Sequence, residues 1–84
     1  MVLPSLITNV PTSAFTSCSA LTSVTIPNGV TQINSYAFYN CDALPSIELP
    51  NSLQSIQNYA FRNCTSLTSI TIPSSVTSIA NYAF

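Results

Sequence analysis

Hydrophobic positions recur along the chain with a fixed period of 23 residues. The dipeptide Ala-Phe shows the period most clearly, since it occurs at positions 14–15, 37–38, 60–61 and 83–84. We call the residues at one position of successive repeats a column. Further columns are Leu21, Leu44 and Leu67; Val10, Ile33, Ile56 and Ile79; Cys18, Cys41 and Cys64; and Pro4, Pro27, Pro50 and Pro73. Such a period indicates a solenoid, in which each repeat stacks on the next and buries the same positions.

The first element that the pattern predicts within one repeat is a short β-strand. Val24 and Ile26 alternate with the polar Ser23 and Thr25. This period of two is typical of a strand with one buried face and one exposed face. Pro27 follows and ends the strand, because proline has no N–H to donate to a sheet.

The second half of the repeat predicts a turn, an extended stretch and a short helix. Asn28-Gly29 has turn chemistry, and Ile33 returns to the interior. A column of side chains that favour helix N-caps comes next, namely Thr12, Ser35, Asn58 and Asn81. On a helical turn of about six residues, Phe38 and Cys41 share one buried face because they are three residues apart.

The repeat as a whole resembles a known family. It reads Leu-x-x-Val-x-Ile-Pro-x-x-Val-x-x-Ile over residues 21–33 and Ala-Phe-x-x-Cys-x-x-Leu over residues 37–44. This string resembles the BspA-like leucine-rich repeats of bacteria and protozoa. The resemblance implies an α/β repeat solenoid, which is a leucine-rich-repeat arc with a parallel β-sheet on its concave face and short helical turns on the other side.

The resemblance also implies a function. BspA-like proteins are usually found at the cell surface or secreted, and are associated with adhesion to host cells and to extracellular matrix proteins. We therefore expect a non-catalytic protein-binding module whose partner is a protein of the host cell surface or the matrix. The candidate contact residues on the concave face are Ser23, Thr25, Ser46, Glu48, Ser69 and Thr71. The alternative is a structural repeat that associates end to end, or an idealised repeat scaffold without a ligand.

The pattern accommodates a single domain, residues 1–84, which corresponds to about 3.65 repeats of 23 residues. Residues 1–6 lack the strand-opening pattern and Phe84 falls within a repeat, so we expect a piece of a longer array. The first residues have no basic segment and no sustained apolar stretch, which predicts no signal peptide. The longest apolar runs, such as Tyr36 to Tyr39, are far too short to span a membrane.

Charged residues are scarce and narrow the functional classes further. They make up 4% of the chain, namely Asp42, Glu48 and Arg62, and the net charge is -1. One basic residue cannot neutralise a row of phosphates, so we expect no nucleic-acid partner. Histidine is absent, which removes the commonest general base and metal ligand, and the two carboxylates lie on different parts of the repeat. We therefore expect neither an enzyme nor a cofactor, and at most a weak ion pair between Arg62 and Asp42.

The three cysteines allow three interpretations. A zinc site needs four ligands, and the chain has no histidine to complete the set. Stacked neighbours about 5 Å apart are within reach of a disulfide by distance alone. A cysteine at one interior position of every repeat is most simply a small buried hydrophobic residue, and we predict this packing role.

A second candidate surface is a column of tyrosines, namely Tyr36, Tyr59 and Tyr82, with Ser13 at the same position of the first repeat. Tyrosine is favoured at recognition surfaces because it gives a large contact area at a small entropic cost. The alternative is that the rings stack on one another and shield the helical side of the solenoid. We favour shielding.

Overall fold

Among the residues that the structure describes, four two-residue β-strands stack in chain order into one sheet. They are β1 (Asn9–Val10), β2 (Gln32–Ile33), β3 (Ser55–Ile56) and β4 (Ser78–Ile79). The fold is that of a computed structural model, which describes residues 3–4 and 6–84. Met1, Val2 and Ser5, which belong to the predicted domain, lie outside the described residues.

All strand pairs are parallel and keep the register of the sequence repeat. Val10 pairs with Ile33, Ile33 with Ile56, and Ile56 with Ile79, so each residue lies beside the residue 23 positions later. Equivalent positions of successive repeats are therefore direct neighbours. The predicted parallel solenoid is confirmed.

The sheet does not lie where the alternation predicts the main strand. The four strands occupy the second extended stretch, whereas the predicted strand contributes only isolated parallel bridges, from Thr25 to Glu48 and from Glu48 to Thr71. Pro27, Pro50 and Pro73 follow the bridged residues by two positions, and a proline without an N–H cannot extend the pairing. The predicted alternation itself is confirmed, because Val24 and Ile26 are buried while Ser23 and Thr25 are exposed.

The predicted helical turns are not confirmed, since no residue among 3–4 and 6–84 is helical. Every second N–H of the turn at residues 35–40 donates to a carbonyl of the following repeat. These bonds run from Tyr36 to Asn58, from Phe38 to Ala60 and from Asn40 to Arg62, at 3.2, 2.8 and 2.9 Å. The intervening N–H groups of Ala37, Tyr39 and Cys41 donate to carbonyls three residues earlier. In a helix, all of these N–H groups would donate to carbonyls of the same repeat. In this turn, half of them donate within the repeat and half donate to the following repeat.

The column expected to cap helices has a different role. The backbone carbonyl of Ser35 accepts a hydrogen bond from the N–H of Ser13 at 3.0 Å, and the carbonyl of Asn58 accepts one from Tyr36. The backbone of this column therefore joins successive repeats. No helix follows Ser35 or Asn58, so these residues have no N-cap to form.

Left-handed backbone at two positions of each turn also excludes a helix. The first of these columns is Ser13, Tyr36, Tyr59 and Tyr82, and the second is Ser17, Asn40 and Asn63, with φ between 57° and 62°. Asparagine tolerates this conformation, whereas a side chain without local hydrogen bonding pays roughly 1–2 kcal/mol for it. The tyrosine column therefore carries backbone strain that the asparagine column largely avoids.

The core consists of the repeated hydrophobic columns. Its fully buried members include Val10, Val30, Ile33, Ala37, Phe38, Cys41 and Leu44. Phe15, Phe38, Phe61 and Phe84 form a continuous stack with ring centroids 5.2, 5.2 and 5.3 Å apart. Each internal ring is therefore packed between copies of itself, as the sequence predicts.

Candidate functional site

The six polar residues of the first candidate surface are all exposed. Thr25, Glu48 and Thr71 lie side by side in one bridged column, at the spacing of about 4.8 Å that parallel chains impose. Ser23, Ser46 and Ser69 precede them by two residues, which in extended backbone places both columns on the same side. We call this surface, which carries the isolated bridges and not strands β1–β4, the sheet face.

A groove of about 540 Å³ crosses the sheet face between the repeats of Glu48 and Thr71. Its lining combines polar and apolar side chains: Ser46, Ile47, Glu48, Leu49, Asn51, Ser69, Ile70, Thr71 and Pro73. Glu48 is the one charged residue of this lining, and Asp42 is not part of it. Within the described chain, the Glu48 carboxylate has no ion pair. The groove is therefore a polar-rimmed depression with a single negative charge.

The second candidate surface is a stack of rings. Tyr36 and Tyr59 lie with centroids 5.0 Å apart, and Tyr59 and Tyr82 lie 5.5 Å apart, in nearly parallel planes. Tyr36 and Tyr82 are exposed, at 38% and 63%. The rings stack on one another, as predicted, but Tyr36 and Tyr82 remain partly exposed at the surface.

Two residues beside this stack were not assigned to this surface from the sequence. Tyr39 contacts Tyr36 edge to face at 5.2 Å, and the guanidinium of Arg62 lies 5.4 Å from the ring centroids of both Tyr59 and Tyr82. Tyr39 and Arg62 share one column, 23 residues apart, and each follows a stacked tyrosine by three positions. We call the five residues Tyr36, Tyr39, Tyr59, Arg62 and Tyr82 the tyrosine patch. It contains all four tyrosines of the chain and its single basic residue.

The conceivable ion pair between Arg62 and Asp42 does not form among the described residues. The guanidinium lies beside the stacked pair of Tyr59 and Tyr82, 5.4 Å from each ring centroid, within the distance range of a cation–π contact. Asp42 instead accepts a hydrogen bond at its backbone carbonyl from the hydroxyl of Ser66, at 2.6 Å. Arg62 is therefore held by aromatic rings and not by a carboxylate.

The cysteines are free thiols in the interior of the stack. Cys41 and Cys64 are buried and Cys18 is half-buried. Each buried thiol donates a hydrogen bond to a phenylalanine carbonyl of the preceding repeat, Cys41 to Phe15 and Cys64 to Phe38, both at 3.1 Å. Burial raises the pKa of Cys41 to about 11 and also raises the pKa of Cys64. These thiols pack as predicted and also make hydrogen bonds that the hydrophobic pattern does not indicate.

Metal and membrane sites are not indicated in the part of the chain that the structure describes. Among residues 3–4 and 6–84, no group of three or more histidine, cysteine, aspartate or glutamate side chains is placed to hold a metal ion. The same residues include no helix long and apolar enough to traverse a bilayer.

Comparison with known proteins places this architecture among leucine-rich repeats. The sequence profile of the BspA type leucine rich repeat region, which comprises 6 copies, matches residues 1–84. A T. pallidum leucine-rich repeat protein is similar in structure, with a TM-score of 0.91 and 40% identity over 95% of this chain and 40% of that chain. A leucine-rich repeat protein of Bacteroides ovatus is also similar, with a TM-score of 0.92 and 31% identity over 100% of this chain and 24% of that chain.

Two further facts qualify these similarities. The chain spans less than half the length of both bacterial structures. No protein with a curated function matches it.

Proposed function

The chain belongs to the BspA type leucine-rich repeat family, and we propose that it acts as a non-catalytic protein-binding module. Leucine-rich repeats are typically protein-interaction modules, because stacked repeats offer a long, regular surface. Nothing in the charged groups favours catalysis over binding: the chain has two carboxylates and no histidine, and Asp42 does not line the groove that holds Glu48.

The sheet face is the proposed contact surface. The observation that carries this assignment is the exposed column of Thr25, Glu48 and Thr71, which lies above buried hydrophobic columns and beside a groove of about 540 Å³. Short hydroxyl side chains offer few distinctive groups per repeat. Affinity therefore comes from many weak contacts distributed over several repeats.

The parent protein is proposed to be secreted or exposed at the cell surface, and its partner to be a protein of the host cell surface or extracellular matrix. BspA type repeats are typical of such bacterial proteins, which supports the proposal. We also propose that residues 1–84 form a single domain within a longer array of repeats. The greater length of the two similar bacterial proteins supports this view.

Bulky substitutions on the sheet face test the proposal. The double variant Glu48→Trp and Thr71→Trp fills the groove, so binding to immobilised matrix proteins such as fibronectin should be lost while the circular-dichroism spectrum is unchanged. The matched control is Asp42→Trp with Thr65→Trp, two exposed turn positions outside the groove. Unchanged binding by the groove variant contradicts the sheet-face assignment. Failure of the unmodified chain to bind any matrix or host-surface protein contradicts the adhesion function.

A second candidate function, which is the alternative to a longer array, is structural self-association of the 84-residue chain. In the 84-residue chain, β1 and β4 are the edges of the sheet, and the last repeat exposes Ile79 and Phe84, at 47% and 49%. Unpaired strand edges beside apolar side chains favour association with another copy, and a net charge of -1 opposes it little. Sedimentation across a concentration series tests this function. A species that stays monomeric at high concentration contradicts it.

A further inference from the structure

All four tyrosines and the single arginine of the chain lie in the tyrosine patch, on a different part of the repeat from the sheet face. Tyrosine and arginine are the residue types enriched where protein contacts contribute most to binding, together with tryptophan, which the chain lacks. We propose that the tyrosine patch is a second binding surface, which takes an aspartate or glutamate side chain from an acidic segment of a partner protein.

The backbone of the tyrosine column argues against a purely structural role. Tyr36, Tyr59 and Tyr82 have φ of 60° or 61°, a conformation that a bulky side chain disfavours. In the same turns, the other left-handed column uses Asn40 and Asn63, which suit this backbone. Asparagine would therefore suit the backbone at both columns. The rings remain in spite of the backbone strain, and strain of this kind concentrates at binding sites.

Arg62 defines the chemistry of the ligand. Its guanidinium is oriented by the rings of Tyr59 and Tyr82, at 5.4 Å from each centroid, and makes no ion pair with any described residue. A guanidinium presents its N–H groups as a planar fork that matches the two oxygens of a carboxylate. Contact with the rings holds the fork in place before the ligand arrives, which reduces the entropy lost on binding.

The stacking geometry selects a peptide over other anionic ligands. Ring centroids 5.0 and 5.5 Å apart leave no room for a sugar ring or a base between the rings, so the internal ring faces are closed. A sulfated glycan or a nucleic acid carries many charges and gains affinity from many basic residues, whereas the patch has one. The partly exposed tyrosines around one guanidinium suit a peptide with a single well-placed carboxylate.

Selection from a random dodecapeptide display library against the whole chain tests the proposal. We expect enriched peptides that contain aspartate or glutamate, and we expect their amide analogues to bind about tenfold more weakly or worse. Arg62→Gln should cause a loss of the same size, and Arg62→Lys a smaller loss because lysine keeps the charge but not the fork.

Tyr59→Asn separates the role of the ring from the requirement of the backbone, since asparagine suits the left-handed position. It should leave the circular-dichroism spectrum unchanged and should weaken the acidic peptides about tenfold, while the loss of two ring contacts and of the contact with Arg62 lowers the urea midpoint. The double variant Glu48→Trp and Thr71→Trp should leave these peptides bound, which distinguishes the patch from the sheet face.

Three results would overturn the proposal. The first is the absence of any selected peptide that depends on Arg62. The second is dependence on Arg62 without an acidic residue in the peptide. The third is equal or tighter Arg62-dependent binding of a heparin-derived oligosaccharide, which would assign the patch to sulfated glycans instead.

Discussion

The thiol of Cys64 donates a hydrogen bond to the backbone carbonyl of Phe38 in the preceding repeat, at 3.1 Å. The thiol of Cys41 makes the same bond to Phe15. The two residues of each pair belong to different repeats, so the bond forms only when the repeats are stacked. The cysteine column thus couples repeats by hydrogen bonding as well as by packing.

Removal of a buried thiol should destabilise the fold. Cys41→Ala loses a hydrogen bond and the buried volume of the sulfur, for which we expect a decrease of roughly 1–2 kcal/mol in the free energy of unfolding. Urea denaturation measures this decrease. Cys18→Ala is the matched control at a half-buried position and should cost less. Equal losses at the two positions would mean that the buried hydrogen bond contributes nothing.

Stability should also fall at alkaline pH because of the same thiol. Burial raises the pKa of Cys41 from its ordinary value of 9.0 to about 11, so below pH 9 the thiol is protonated in both states and its full contribution is present. Between pH 9 and 11 the unfolded chain loses this proton while the folded chain keeps it, and the contribution to stability is progressively lost. Between pH 8 and 11, the urea midpoint of Cys41→Ala should decline less steeply than that of the unmodified chain. Parallel pH profiles would refute this.

The phenylalanine stack should be most sensitive at its centre. Phe38 is fully buried between Phe15 and Phe61, so Phe38→Ala should cost roughly 3–5 kcal/mol. Phe84 is 49% exposed, and Phe84→Ala should cost less than about half as much. Thermal or urea unfolding compares the two variants, and Phe38→Leu provides a milder change if the alanine variant does not fold. Similar costs at both positions would contradict the packed stack.

The contacts of Arg62 predict a particular response to charge removal. Arg62→Met keeps an unbranched stem but loses the cation over Tyr59 and Tyr82, which should cost about 0.5–1 kcal/mol. Asp42→Asn should change stability by less than about 0.5 kcal/mol, because Arg62 does not pair with Asp42. A double-mutant cycle in urea measures the coupling, which should be near zero. A coupling between Arg62 and Asp42 that weakens with added salt would contradict this prediction, because it would show that the two residues form an ion pair.

The columns and their register could be predicted because they depend on periodicity alone. When residues 23 apart are alike, parallel stacking is the arrangement that places Ile33 beside Ile56 and Phe38 beside Phe61. The exposed alternation of Ser23 and Thr25 follows from the same pattern. The six candidate residues of the sheet face could therefore be named from the sequence, whereas Arg62 and Tyr39 of the tyrosine patch could not.

What the amino-acid sequence determined by itself is which side chains are buried and which repeats are neighbours. The tertiary structure decided the conformation of the turn, since the spacing of Phe38 and Cys41 fits a helix as well as it fits the observed turn. The physical reason lies in the hydrogen bonds. The N–H of Phe38 donates to the carbonyl of Ala60, 22 residues away. This hydrogen bond can form only when the next repeat is stacked on the turn, so the sequence of one repeat cannot reveal it.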